Sequence, residues 1–138
     1  MPLHADLESV RAWLQSATGL ATRISAKPAA ITRTGLDLWP WRIVEDTAAR
    51  NRLPSRRPDA QAPPAALKLY FLVLSARGLD GLDQTYRALH DHPVFAVAER
   101  RLLLQPHPLD AAQANALFAA AQCPLRPFLS YELRGAAD

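Results

Sequence analysis

The chain is short of the residues from which several kinds of protein are built. Its 138 residues include one cysteine, Cys123. A lone thiol closes no internal disulfide, so packing alone is expected to hold the fold, as suits a reducing cytoplasm. Glycine is scarce, 5 against 12 prolines, which predicts stiff connections and short elements. The longest apolar run, around residues 69–74, is far short of the ~20 residues that cross a bilayer. The opening MPLHADLE has neither the basic start nor the apolar run of a signal peptide. A soluble, cytoplasmic protein with no membrane contact is expected.

Chemical motifs are equally scarce. There is no Gly-rich phosphate loop, no Gly-x-Ser-x-Gly elbow and no Cys-x-x-Cys. Of the histidines His4, His90, His92 and His107, only His90 and His92 are close. Two residues apart on a helix they point away from each other, so a shared metal is not expected. They read instead as polar residues near a helix C-terminus, where a cation is favoured. Cys123, in Ala-Gln-Cys-Pro-Leu, has neither a base nor a pKa-lowering setting at hand in those five residues. Glu45 and Asp46 are adjacent and lead into a polar stretch, so they read as a solvated turn rather than an acid–base pair. No catalytic, cofactor-binding or metal residue is assigned, no cofactor is expected, and the chain is not expected to be an enzyme.

What is present fits one domain over residues 1–138. A hydrophobic fraction of 49% and a charged fraction of 21% are those of an ordinary globular protein. The net charge is +3, and all 16 basic residues except Lys27 and Lys68 are arginine. Arginine grips carboxylates and phosphates alike, so this balance admits acidic protein surfaces and nucleic acid. A nucleic-acid module would interleave aromatics with its basic residues. The most basic stretch here, residues 47–64, has no aromatic, which leaves nucleic-acid binding a weak alternative.

Leu3, Leu7, Val10 and Leu14 recur at helical spacing, with Trp13 on the shoulder and Gly19 placed to end the helix. Residues 21–26 read as a short strand and 27–35 as a connection. Residues 36–44 (LDLWPWRIV) read as a second strand, with Trp39, Trp41 and Ile43 on one face and Leu38 and Val44 on the other. Pro40 inside it predicts an edge or a bulge. The tryptophans fit core packing first and an interface anchor second.

Residues 47–64 form a long loop carrying Arg50, Arg52, Arg56 and Arg57 among prolines. It reads as a solvated connection or as an arm that folds onto a partner. Residues 67–74 (LKLYFLVL) are apolar on both faces and belong mid-sheet. Gly78 and Gly81 mark a turn, followed by a helix on Leu82, Tyr86 and Leu89 that stops before Pro93. Residues 101–105 read as a strand. Asp110 and Gln113 resemble a capping box at the start of a helix carrying Ala114, Leu117, Phe118 and Ala121, and residues 128–134 form the last strand. The sum is an α/β (α+β) domain, a mixed sheet of about five strands with about three helices.

Three segments in this order resemble the N-terminal domain of the cap, or tail-terminator, proteins of bacterial contractile injection systems, of the virulence-cassette and antifeeding-prophage type. The first is the strand exit Trp41–Asp46 followed by Arg50-Asn51. The second is Pro63-Pro64 before Leu67, Leu69, Tyr70 and Leu72, then a helix, Gln84–His92, ending before Pro93-Val94. The third is Leu117-Phe118, the Pro124–Pro127 turn, and Ser130-Tyr131-Glu132-Leu133-Arg134. Phe118 stands where the family often has tryptophan. The likeness runs from about Leu7 to Gly135, without the C-terminal extension of the larger caps.

The resemblance implies a phage tail-terminator-like fold and a structural role. Such a protein forms a homo-oligomeric ring, expected to be a hexamer, that ends tube and sheath polymerisation in a phage-tail-like particle. Sheath and inner-tube proteins would be its partners. Trp39, Trp41, Arg50, Arg52, Arg56 and Arg57 are the expected contacts. The alternative is a protein-binding adaptor domain of similar fold without a tail context.

Overall fold

Six successive residues, Leu69 to Leu74, are buried, and a strand buried on both faces needs a layer on each side. The computed structural model describes residues 3–25, 35–46, 67–97 and 100–135. They form α1 (Leu3–Thr18), β1 (Thr22–Ile24), β2 (Leu36–Glu45), β3 (Leu67–Ser75), α2 (Gly78–Asp91), β4 (Val94–Val97), β5 (Arg100–Pro106), α3 (Ala111–Ala120) and β6 (Leu129–Gly135). The strands make one mixed sheet in the order β1-β2-β3-β6-β5-β4. β1 runs parallel to β2, and every other neighbouring pair is antiparallel.

Alternate residues of β3 serve different layers. Leu69, Phe71 and Val73 face α1 and α2, packing with Val10, Leu14, Leu82, Leu89 and Leu133. Leu72 and Leu74 face α3 and pack with Trp39 and Phe118. α1 binds through the predicted stripe of Leu7, Val10 and Leu14. The buried Asp6 near its start accepts hydrogen bonds from Arg100 at 2.6 and 3.3 Å, which ties the helix to the first residue of β5. α3 starts as its spacing predicts: Asp110 Oδ1 accepts from the Gln113 N–H at 2.7 Å, and the Asp110 N–H donates to Gln113 Oε1 at 3.2 Å.

Two glycines are required by close approach. Gly35, at φ +110°, leads into β2 where a Cβ would lie 2.1 Å from the Ala21 carbonyl oxygen. That oxygen accepts the Leu36 N–H at 2.7 Å, so the backbone there has no room to give. Gly81 lets α2 lie on the end of β3, since its Cβ would sit 2.0 Å from Ser75 Oγ.

The structure corrects the sequence reading at four points. A sixth strand exists: β4 alternates over only four residues, too few to stand out from a loop. The glycines at 78 and 81 lie in the first turn of α2 rather than in a turn before it. Tyr86 is exposed, and Thr85 takes the core position between Leu82 and Leu89. Asp46, read as part of a solvated turn, is buried at the end of β2, while Glu45 is exposed.

Candidate functional site

The site begins with Pro40. Having no N–H, proline cannot continue a regular ladder, and the β2–β3 register shifts between Pro40 and Arg42. Both halves of the sequence expectation are met: the strand is bulged there, and β1 pairs only with Leu36–Leu38, leaving the outer side of later β2 residues without a strand among the described residues. The bulge also overturns the period-two assignment of Ile43. Arg42 stands opposite Tyr70 and Ile43 opposite Leu69, which puts Ile43 on the α1–α2 side, 55% exposed. One extra residue reverses every face beyond it.

Trp39 and Trp41 nevertheless both come to the α3 side. Trp39, 6% exposed, meets Phe118 edge-on with ring centres 5.8 Å apart. Trp41 is half-buried and tilts against Tyr70 at 5.8 Å. Its indole Nε1 is enclosed without an acceptor. With Pro40 they form one wall of an open groove whose other wall is the C-terminal end of α3: Leu117, Ala120, Ala121 and Gln122. The Arg42 guanidinium lies 5.8 Å from the Tyr70 ring, the ring against which Trp41 tilts. Sequence reasoning missed Arg42 and the α3 wall. The α3 wall carries no local signal, because it meets the tryptophans only through the fold.

Arg50, Arg52, Arg56 and Arg57, with the whole 47–64 loop, lie outside the described residues. The strands on either side of that loop, β2 and β3, are antiparallel neighbours.

The candidate chemical groups go separate ways. His92 stacks on Trp13, with centres 4.4 Å apart and planes 11° apart, and meets Phe95 edge-on. His90 stacks on Tyr86, and His107 Nδ1 lies 3.9 Å from Glu132. Among the described residues no group of three His, Cys, Asp or Glu side chains is arranged to hold a metal. Cys123 packs against the α3 cluster, with its sulfur 3.6 Å from the Pro124 carbonyl oxygen. Burial pushes the Tyr131 hydroxyl pKa well above that of an ordinary phenol, so Tyr131 stays neutral.

The described residues form an α+β domain with helices on both faces of its sheet. Its fold is that of two solved structures. One is the sheath/tube terminator of an extracellular contractile injection system, PVC, in the extended state: TM-score 0.69, 16% identity, covering 97% of this chain and 57% of that one. The other is the anti-feeding prophage cap, a tube-terminating cap: TM-score 0.61, 14% identity, covering 99% of this chain and 55% of that one. This chain therefore spans little more than half the length of each. No curated protein matches it. The Pvc16 N-terminal domain family matches residues 8–137, and the chain belongs to that family. The resemblance carried by the three segments, and the α+β fold it implied, are borne out.

Proposed function

We propose that this chain is a terminator subunit that ends tube and sheath polymerisation in a contractile, phage-tail-like particle. Membership of the Pvc16 N-terminal domain family carries the reading, and the two structures of like fold, a sheath/tube terminator and a tube-terminating cap, support it. In this reading residues 1–138 are one domain, made in the cytoplasm, and its copies close into a hexameric ring. A head-to-tail contact closes when the rotation per subunit divides a full turn. The ring contacts sheath and inner tube and catalyses nothing. Trp41, backed by Tyr70, offers an aromatic contact, and Arg50, Arg52, Arg56 and Arg57 offer charge-assisted hydrogen bonds to carboxylates.

The test uses the purified chain mixed with tube and sheath proteins of its own particle, followed by sedimentation and negative-stain imaging. Rings at tube ends are expected. Reversing charge with Arg56→Glu and Arg57→Glu should weaken binding about tenfold or more and leave the thermal melt unchanged. A strict monomer that binds neither tube nor sheath would overturn the reading.

A further inference from the structure

The last strand of the sheet, β4, has an outer edge whose hydrogen-bonding phase is determined. The Leu104 N–H donates to the Pro93 carbonyl oxygen at 2.8 Å. Pro93 and Leu104 continue the register in which Val94 faces Leu103, Phe95 faces Leu102 and Ala96 faces Arg101. Hydrogen-bonded and non-bonded pairs alternate along an antiparallel ladder. The bonded pairs are therefore Pro93 with Leu104, Phe95 with Leu102, and Val97 with Arg100. Val94 and Ala96 turn their N–H and C=O groups the other way, out of the sheet. Among the described residues no strand pairs with that edge.

Edges left open are usually blunted by shortness, a charge, a proline or a bulge, and of these β4 shows shortness, at four residues. Residues 94–97 contain no charged residue and no proline, and their pairing with β5 is regular. The edge is also held in place. Phe95 is buried and meets both Trp13 and His92 edge-on. Val97 packs against the same core.

On the opposite face of this corner no described element packs over β4. Val94 is 40% exposed, and Ala96 and Arg101 are exposed beside it. α3 spends its buried contacts on Trp39, Leu72 and Leu74 instead. Arg101 has no ion-pair partner among the described residues, and Arg134, opposite Leu103, has Glu132 only at 3.8 Å. A strand laid along β4 would bond to two outward backbone pairs. Side chains on its α3 side would lie next to Val94 and Ala96, one strand from the Arg101 guanidinium.

We propose that the outer edge of β4 takes up an extended acidic segment of a partner protein by β-augmentation. The Val94 and Ala96 backbone supplies the ladder, and Arg101 selects an Asp or Glu on the shared face. This surface is separate from the Trp39–Trp41 groove, and the inference stands whether or not the chain terminates a tail.

The experiment is a fluorescence-polarisation titration of the full chain with a short labelled peptide alternating valine and glutamate, against its valine–lysine counterpart. Saturable binding of the acidic peptide is expected, with the lysine peptide about tenfold or more weaker. Ala96→Pro removes only an outward N–H and no bond of the β4–β5 ladder. It should weaken binding about tenfold while leaving the melt unchanged. Arg101→Glu should reverse the peptide preference. Should Ala96→Pro fail to fold, a peptide N-methylated at alternate residues serves in its place, and its binding to the unaltered chain should be lost. Absence of saturable binding, equal affinity for the two peptides, or indifference to the backbone changes would each overturn the proposal.

Discussion

Replacing Phe118 with alanine is expected to cost about 3–5 kcal/mol, the usual range for truncating a fully buried phenylalanine. α3 has ten residues and buries only Ala114 and Phe118. A helix that short has almost no stability of its own in water, so its place on the sheet depends on the Phe118 ring. That ring is 1% exposed, with Trp39 edge-on at 5.8 Å and Phe128 at 5.7 Å, over Leu72 and Leu74. Alanine would leave a cavity that two rigid rings cannot fill by small shifts. Urea titration should show the midpoint falling accordingly, with Leu117→Ala, at a half-buried position, falling much less. A loss for Phe118→Ala below about 1 kcal/mol would mean that α3 is held by something other than this ring.

The second large effect falls on a residue whose exposure understates it. Asp37 is 3% exposed on β2. It accepts from Arg23 Nε, from Arg23 Nη2 at 3.3 Å and from Ser25 Oγ at 3.1 Å. These contacts fasten the three-residue β1 to its parallel partner. Arg23 itself is 38% exposed, so it can return to water if Asp37 is removed. The reverse does not hold: without Arg23, a buried carboxylate is left with one hydroxyl for company.

Arg23→Ala should therefore cost about 3 kcal/mol, the low end for stranding a buried charge. Asp37→Asn should cost about 1 kcal/mol, nearer the value of an ordinary hydrogen bond. Paired denaturant titrations would check the order. If Asp37→Asn proved the more damaging, the account of the pair as a buried carboxylate with a wet partner would be wrong.

Which features could be read in advance follows from how far apart their causes lie. The α1 stripe, the two-sided β3 and the Asp110–Gln113 cap each repeat within one or two turns or strand steps, so their residues announce them. The Pro40 bulge was also local. Its consequence was not, because the face of Ile43 depends on where the register resumes against β3. β4 was missed because four alternating residues resemble a loop unless the neighbouring strand is known. Asp6–Arg100 depends on how α1 packs on the sheet, and Arg23–Asp37 on strand order, so neither pair is local.

The site shows the same division. Trp39 and Trp41 were picked out as residues, but the groove needed residues 117–122 as its second wall. Composition and motifs offered no catalytic signal and assigned no role. The order of three segments pointed to the family, and the family match then bore it out.

The proposal that this chain stops a growing tail is tested most directly by the length of that tail. Cells producing the whole particle would be compared with and without this gene, and particle lengths measured by electron microscopy. Loss of the gene should broaden the length distribution towards overlong or uncapped tubes and sheaths, and restoring it should bring back one length. Particles of unchanged, uniform length in its absence would contradict the account.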